Sequence, residues 1–176
     1  MTEKNLALIQ QQIDVLEVYL DSYELCAPQI SQWTIGHHLE HLNKGHGGLL
    51  KRLATGDRDG GYPKRAINLR GKIVLFLRRI PRSRGKAPDH TLPLNFDLER
   101  LRRGVESQRY HASQLQQLAD LSVVRKVVFQ HPYFGYLDGY DWLKFFTIHA
   151  HHHLKIIREI EQAAARPPFH AASDRS

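Results

Sequence analysis

From Trp142 to Ile160 a large apolar residue recurs every three or four positions: Trp142, Phe145, Phe146, Ile156, Ile157 and Ile160. The two gaps in that series are filled by His149 and His153. The period is that of a helix with one buried face. Residues four apart lie about 40° from each other around a helix, so both imidazoles share that face on successive turns. Burying an imidazole without a partner costs on the order of 1–3 kcal/mol. Any fold of this chain must therefore satisfy two buried imidazoles together. A shared metal ion does so, and i,i+4 is the spacing at which one helix offers two nitrogens to one ion. The run His149-Ala150-His151-His152-His153 lies inside the periodic pattern, unlike a purification tag, and His151 points off the stripe towards solvent.

Three further segments carry the same period. The first runs from about Glu3 to Tyr23 on Leu6, Ile9, Ile13, Leu16 and Leu20, and Pro28 stops it. The second starts at the N-cap Thr34 and runs to about Ala54 on Ile35, Leu39, Leu42, Leu49, Leu50 and Leu53, with Gly56 as its stop. The third starts at the N-cap Asp97 and reaches about Leu118 on Leu98, Leu101, Val105, Ala112 and Leu115. The histidine-bearing segment starts at Asp138 or just after it, has Asp141 in its first turn, and ends before Pro167. Between the third and fourth helices, Val123 to Phe129 reads as either extended or helical. His131-Pro-Tyr-Phe-Gly135 then reads as a turn that aims the last helix.

The connection from Thr55 to Phe96 is too long to lack structure in a compact domain. It predicts a short extra helix near Asn68 to Arg79, ended by Pro81. Four helices with one apolar face each predict an all-α four-helix bundle, a single domain over residues 1–164, with a disordered polar tail over 165–176. Bundles of this kind place metal ligands on facing helices.

The 176 residues suffice for one core, and 41% apolar content is ordinary for a globular chain. The longest apolar run, Ile73 to Leu77, cannot span a bilayer. Met1-Thr-Glu-Lys-Asn5 does not resemble a secretory signal, and the single Cys26 allows no internal disulfide. Together these point to the cytoplasm. The formal charge is +7, with a pI near 9.7. Much of it sits between Gly60 and Pro88, where Lys64, Arg65, Arg70, Lys72, Arg78, Arg79, Arg82, Arg84 and Lys86 meet no Asp or Glu. Such a block suits nucleic acid, an anionic membrane surface or an acidic partner, or serves only as a solvated excursion.

The second helix supplies further imidazoles at His37, His38, His41 and His46. With Ile35 as the centre of its stripe, His38 falls about 60° to one side, His41 about 120°, and His46 near the centre. Periodicity thus prefers His38 or His46 as the inward residue. His90, His111 and His170 stand alone and receive no role.

Trp33-Thr34-Ile35 followed by His41, then His131-Pro-Tyr-Phe-Gly135, Trp142 and His149-x-x-His152-His153-Leu154, resemble the DinB-like (YfiT-like) superfamily of metal-dependent bacterial proteins. The likeness is to a branch of unknown function with HPxFG and HxxHH motifs. It extends from the first helix to about Glu161 and leaves the basic excursion unexplained. The resemblance implies a four-helix bundle with a three-histidine site on His41, His149 and His153, with His38 as the substitute on the second helix. It also implies a small-molecule substrate and, through exposed helix faces, a homodimer.

Three neutral imidazoles leave coordination positions open, as in a catalytic site. They suit a divalent ion such as zinc, nickel or iron. Hydrolysis and transfer of a low-molecular-weight thiol are the two reaction classes the resemblance implies. His131, His152 and Glu40 are the candidate acid–base or supporting groups. The alternatives are a metal- or ligand-binding bundle without turnover, and a nucleic-acid module acting through residues 60–88. That segment holds Tyr62 and Phe76 but no interleaved aromatic platform, which argues against nucleic acid.

Overall fold

The computed structural model describes residues 2–56, 67–82 and 87–165. The expected tail lies outside the described residues from 166 onward, as do residues 57–66 and 83–86 of the basic excursion.

The periodic segments all form helices, in an all-α arrangement with one small hairpin. Helix α1, Thr2–Val18, ends in a 3₁₀ turn, Tyr19–Ser22, which takes up the last turn expected of the first helix. Helix α2 spans Ile35–Thr55. Thr34 caps it by accepting from His37 N–H, and Gly56 closes it in the left-handed conformation at φ 66°. The extra helix of the excursion is α3, Leu69–Leu77, capped by Asn68, with a 3₁₀ turn following at Asp89–Thr91. Helix α4, Leu98–Gln116, has the Asp97 cap.

The stretch after α4 is helical and then extended. Helix α5 is Ser122–Arg125, and strands β1, Val128–His131, and β2, Gly135–Asp138, pair antiparallel with Phe129 opposite Leu137. Gly135, at φ 80°, turns the hairpin. Asp138 then caps α6, Gly139–Ala164, by accepting from Asp141 N–H at 2.9 Å. The HPYFG phrase therefore sets where the last helix begins.

The four long helices form a ring in the order α1, α4, α2, α6. Chain neighbours α1 and α2 thus face each other across the core, and the excursion carries the chain from α2 to the start of α4. The core is the set of predicted stripes: Leu6, Ile13, Ile35, Leu42, Leu101, Leu115, Phe146 and Ile157 are buried at its centre. The excursion is fastened at two points. Asn68 donates to the carbonyls of Phe134 and Tyr133, both at 2.8 Å, which ties α3 to the hairpin. The turn at Asp89–Thr91 lies on α2.

Where α2 crosses α4, Gly104 gives room to Asn43. A Cβ built on Gly104 would lie 2.8 Å from Asn43 Cβ. Asn43 is held from both ends, donating to the Leu101 carbonyl at 3.1 Å and accepting from Gln108 Nε2 at 2.7 Å, so it cannot swing away. Gly104→Ala is expected to destabilise the protein by about 1–3 kcal/mol, read as a lowered midpoint in thermal or urea unfolding.

Candidate metal centre

His41 of α2 and His149 and His153 of α6 come together at the α2–α6 contact, and one nitrogen from each lies within 4.8 Å of the other two. His41 Nε2 and His153 Nε2 each stand 3.2 Å from His149 Nε2. A tetrahedral ion with bonds of 2.0–2.1 Å separates its ligand nitrogens by about 3.3–3.4 Å. Two of the three nitrogen pairs, both through His149, are thus at close to the spacing of a shared ion, and the third ring lies in the same group.

Proton bookkeeping supports that fit. A carbonyl oxygen only accepts, so His41 Nδ1, 3.0 Å from the Thr91 carbonyl, carries the hydrogen. In the neutral ring its Nε2 is then a bare lone pair. The Nε2 of His149 faces two nitrogens, one of them bare, and a single ring nitrogen either donates one hydrogen or accepts along one lone pair. Among neutral rings, then, one of the two 3.2 Å contacts lacks a good hydrogen bond. A cation between them satisfies all three nitrogens.

Behind each helix-six ring stands a second imidazole from α2. His46 Nε2 is 3.0 Å from His149 Nδ1, and Gln108 hydrogen-bonds the His46 ring. The amide of Gln108 is oriented because its nitrogen donates to Asn43, whose own nitrogen donates to Leu101. The Gln108 oxygen is therefore left for His46, which donates to it and accepts from His149. That sequence of bonds ends in a bare Nε2 on His149. His38 Nδ1 is 2.9 Å from His153 Nδ1, and His38 Nε2 is 3.2 Å from Ser31 Oγ. Ser31 Oγ already accepts from Trp33 N–H at 3.0 Å. A hydroxyl can accept again or donate, so this branch takes either direction, and only one of them bares the Nε2 of His153.

The expectation that His38 or His46 would be inward holds for both, and His41 is buried beside them. His41 is covered from its shoulder position by Thr91, in the returning excursion rather than in a bundle helix. Trp33 forms one wall, 5.4 Å from His41 and stacked on His153 at 6.5 Å. Phe145 stacks on His149 at 5.2 Å from the core side. His149 keeps partial exposure, so the site meets solvent on one side. Two shallow surface depressions, one between α1 and the α4–α5 turn and one between α1 and α6, do not touch the triad.

The other candidates lie at different distances from this centre. His152 is half-buried beside His153, ring to ring at 5.2 Å, and the Ile80 carbonyl accepts a hydrogen bond from it. His131 sits one layer deeper, stacked on Phe134 at 4.2 Å and edge-on to Phe145, with Nδ1 accepting from Tyr133 N–H at 3.1 Å. Glu40, 2% exposed, is held between α2 and α4 by Arg100 at 2.8 Å and Lys44 at 3.8 Å. Sequence reasoning gave no supporting role to His46, Gln108 or Asn43. The near-central angle of His46 was the one signal that pointed to any of them.

Burial holds every one of these imidazoles in its neutral, lone-pair-bearing form. It pushes His38 and His46 down to about 3, His131 to about 4, and His149 and His153 well below the usual histidine range. Each ring therefore binds its proton more weakly folded than unfolded. Stability from this source is full above about pH 6.5, where the unfolded chain is neutral too, and is lost as pH falls towards 4. The unfolding midpoint of metal-free protein should drop steeply between pH 6.5 and pH 4, and less steeply in His131→Phe. A midpoint that stays level over that interval would contradict the burial described.

No match was found among curated protein sequences. The sequence model of the DinB superfamily matches residues 15–157. That interval holds α2 and α6 through His153, and with them every imidazole of the cluster. The family's helical fold is the one described above, and the chain is a member of the DinB superfamily.

Proposed function

We propose that the bundle binds one divalent metal ion on His41, His149 and His153 and uses it on a small-molecule substrate, by hydrolysis or by transfer of a low-molecular-weight thiol. The observation that carries this reading is the grouping of three Nε2 atoms within 4.8 Å, two of them at 3.2 Å from the third, with no set of hydrogen bonds able to satisfy all three. An all-imidazole set suits zinc, nickel or iron. Such an ion would act as a Lewis acid, lowering the pKa of a water or thiol at its open position.

The chain's own residues prepare the ligands. The Thr91 carbonyl selects the His41 tautomer, and the Leu101–Asn43–Gln108–His46 sequence selects that of His149. Partners of this kind orient the ring and raise its basicity. Trp33 and Phe145 restrict water around the rings. Of the three acid–base candidates, His152 is the one at the rim, partly exposed and adjacent to the triad, and we assign it proton transfer to or from the substrate. His131 and Glu40 are engaged in packing and ion pairing, and we assign them support of the hairpin and of the α2–α4 crossing.

A bundle that holds the ion without turnover is the second reading. It is favoured by the cover of Trp33 and Phe145 over the rings.

Metal analysis of protein purified without a polyhistidine tag should give a stoichiometric transition metal. His149→Ala and His153→Ala should lose it, and His46→Ala should weaken it by about 10–100-fold while leaving the fold intact. Full metal content in the triad variants would sink the assignment. Metal-loaded protein tested against thiol cofactors with electrophiles, and against esters, separates the two readings. Turnover lost in His41→Ala supports the enzyme, and silence across the panel supports the binder.

A further inference from the structure

We infer that helix α3 is a docking surface for an anionic lipid bilayer. Four of its nine residues are large, apolar and open to solvent: Leu69 is 72% exposed, Ile73 47%, Phe76 83% and Leu77 62%. At 100° per residue they fall within an arc of about 100°. Gly71 and Leu75 lie on the opposite side and are buried, and α3 packs there on α6. The helix is thus seated by one face and presents the other as a continuous apolar stripe.

The two edges of that stripe are cationic. Arg70 and Lys72, both exposed, fall about 20–40° beyond its two ends, and exposed Arg79 follows the helix. No Asp or Glu occurs from Gly60 to Pro88 to offset them. An apolar stripe flanked by cations is the chemistry of a helix lying in the plane of a membrane interface, with side chains among acyl chains and cations at anionic headgroups. A nine-residue helix cannot cross the bilayer, and among the described residues no helix is long and apolar enough to do so.

Two other occupants fit less well. A second copy docking by a two-fold axis would set Arg70 and Lys72 against the same cations of its partner. Nucleic acid would gain from the cations but nothing from Leu69, Ile73 and Leu77, and Phe76 alone is no stacking platform. The surface also has a fixed relation to the rest of the molecule. The Asn68 cap ties the start of α3 to the hairpin, and Ile80, beyond its end, meets His152.

Co-sedimentation of the full chain with vesicles of phosphatidylcholine and phosphatidylserine, against phosphatidylcholine alone, tests this. The expected result is binding to the anionic vesicles that weakens with salt. It should fall about fivefold in Lys72→Ser and be lost in the double variant Phe76→Ser/Leu77→Ser. Circular dichroism should show the fold unchanged, because all three side chains are exposed. If the double variant unfolds, Arg70→Ser and Lys72→Ser carry the test through the anionic-lipid dependence. Absence of binding at low salt would overturn the inference. So would binding that survives the double variant in its folded form, binding of random-sequence DNA but not vesicles, or a dimer that Phe76→Ser converts to monomer without any affinity for lipid.

Discussion

The structure depends on keeping imidazoles out of water. His38, His41, His46, His149 and His153 fill the α2–α6 contact where an ordinary bundle would place leucine or phenylalanine. Unpaired, they would oppose folding. The fold answers with partners fixed in position: the Thr91 carbonyl, the Gln108 amide and the Ser31 hydroxyl. Each sits on a different part of the chain, so the cluster draws the α2 approach, the excursion and α4 into one network. What that network leaves without a full set of hydrogen bonds is the inner group of three nitrogens, and a cation is the partner we propose for it.

The sequence exposed much of this because helix and bundle follow from a single signal. Residues at a 3.6 period with capping groups at Thr34, Asp97 and Asp138 give the helices, and those caps are the ones used. The short helix in the excursion was expected from the length of the connection, and it ends at Leu77 with Arg78 in the left-handed conformation, before Pro81 is reached. His149 and His153 were legible because they interrupt an apolar stripe. His41 was not, on angles alone. A helical wheel measures distance from the face that packs on other long helices, and His41 is buried by something else, the turn at Asp89–Thr91. Long-range loop placement leaves no periodic trace. The resemblance pointed to His41, the imidazole of α2 that lies with His149 and His153, where the geometry of an isolated helix favoured its neighbours.

Glu40 teaches a similar point. As a carboxylate one position from His41, it reads as a candidate base. One residue is 100° around a helix, and that turn faces it to α4 and Arg100 rather than to the triad. Proximity in sequence on a helix is not proximity in space. His152, one position from His153, differs because the rim of the site and the Ile80 carbonyl lie on its side.

The bond from His41 to Thr91 joins two parts of the molecule that could otherwise move independently. Seating of the returning loop and the choice of tautomer at His41 are one event, since the loop's carbonyl sets which nitrogen is free. Coupling of this sort runs in both directions: an ion in the proposed centre would favour the loop in place, and a displaced loop would leave the ring free to turn the other nitrogen inward. Any affinity of the proposed centre for an ion would thereby be a property of the loop as much as of the three rings.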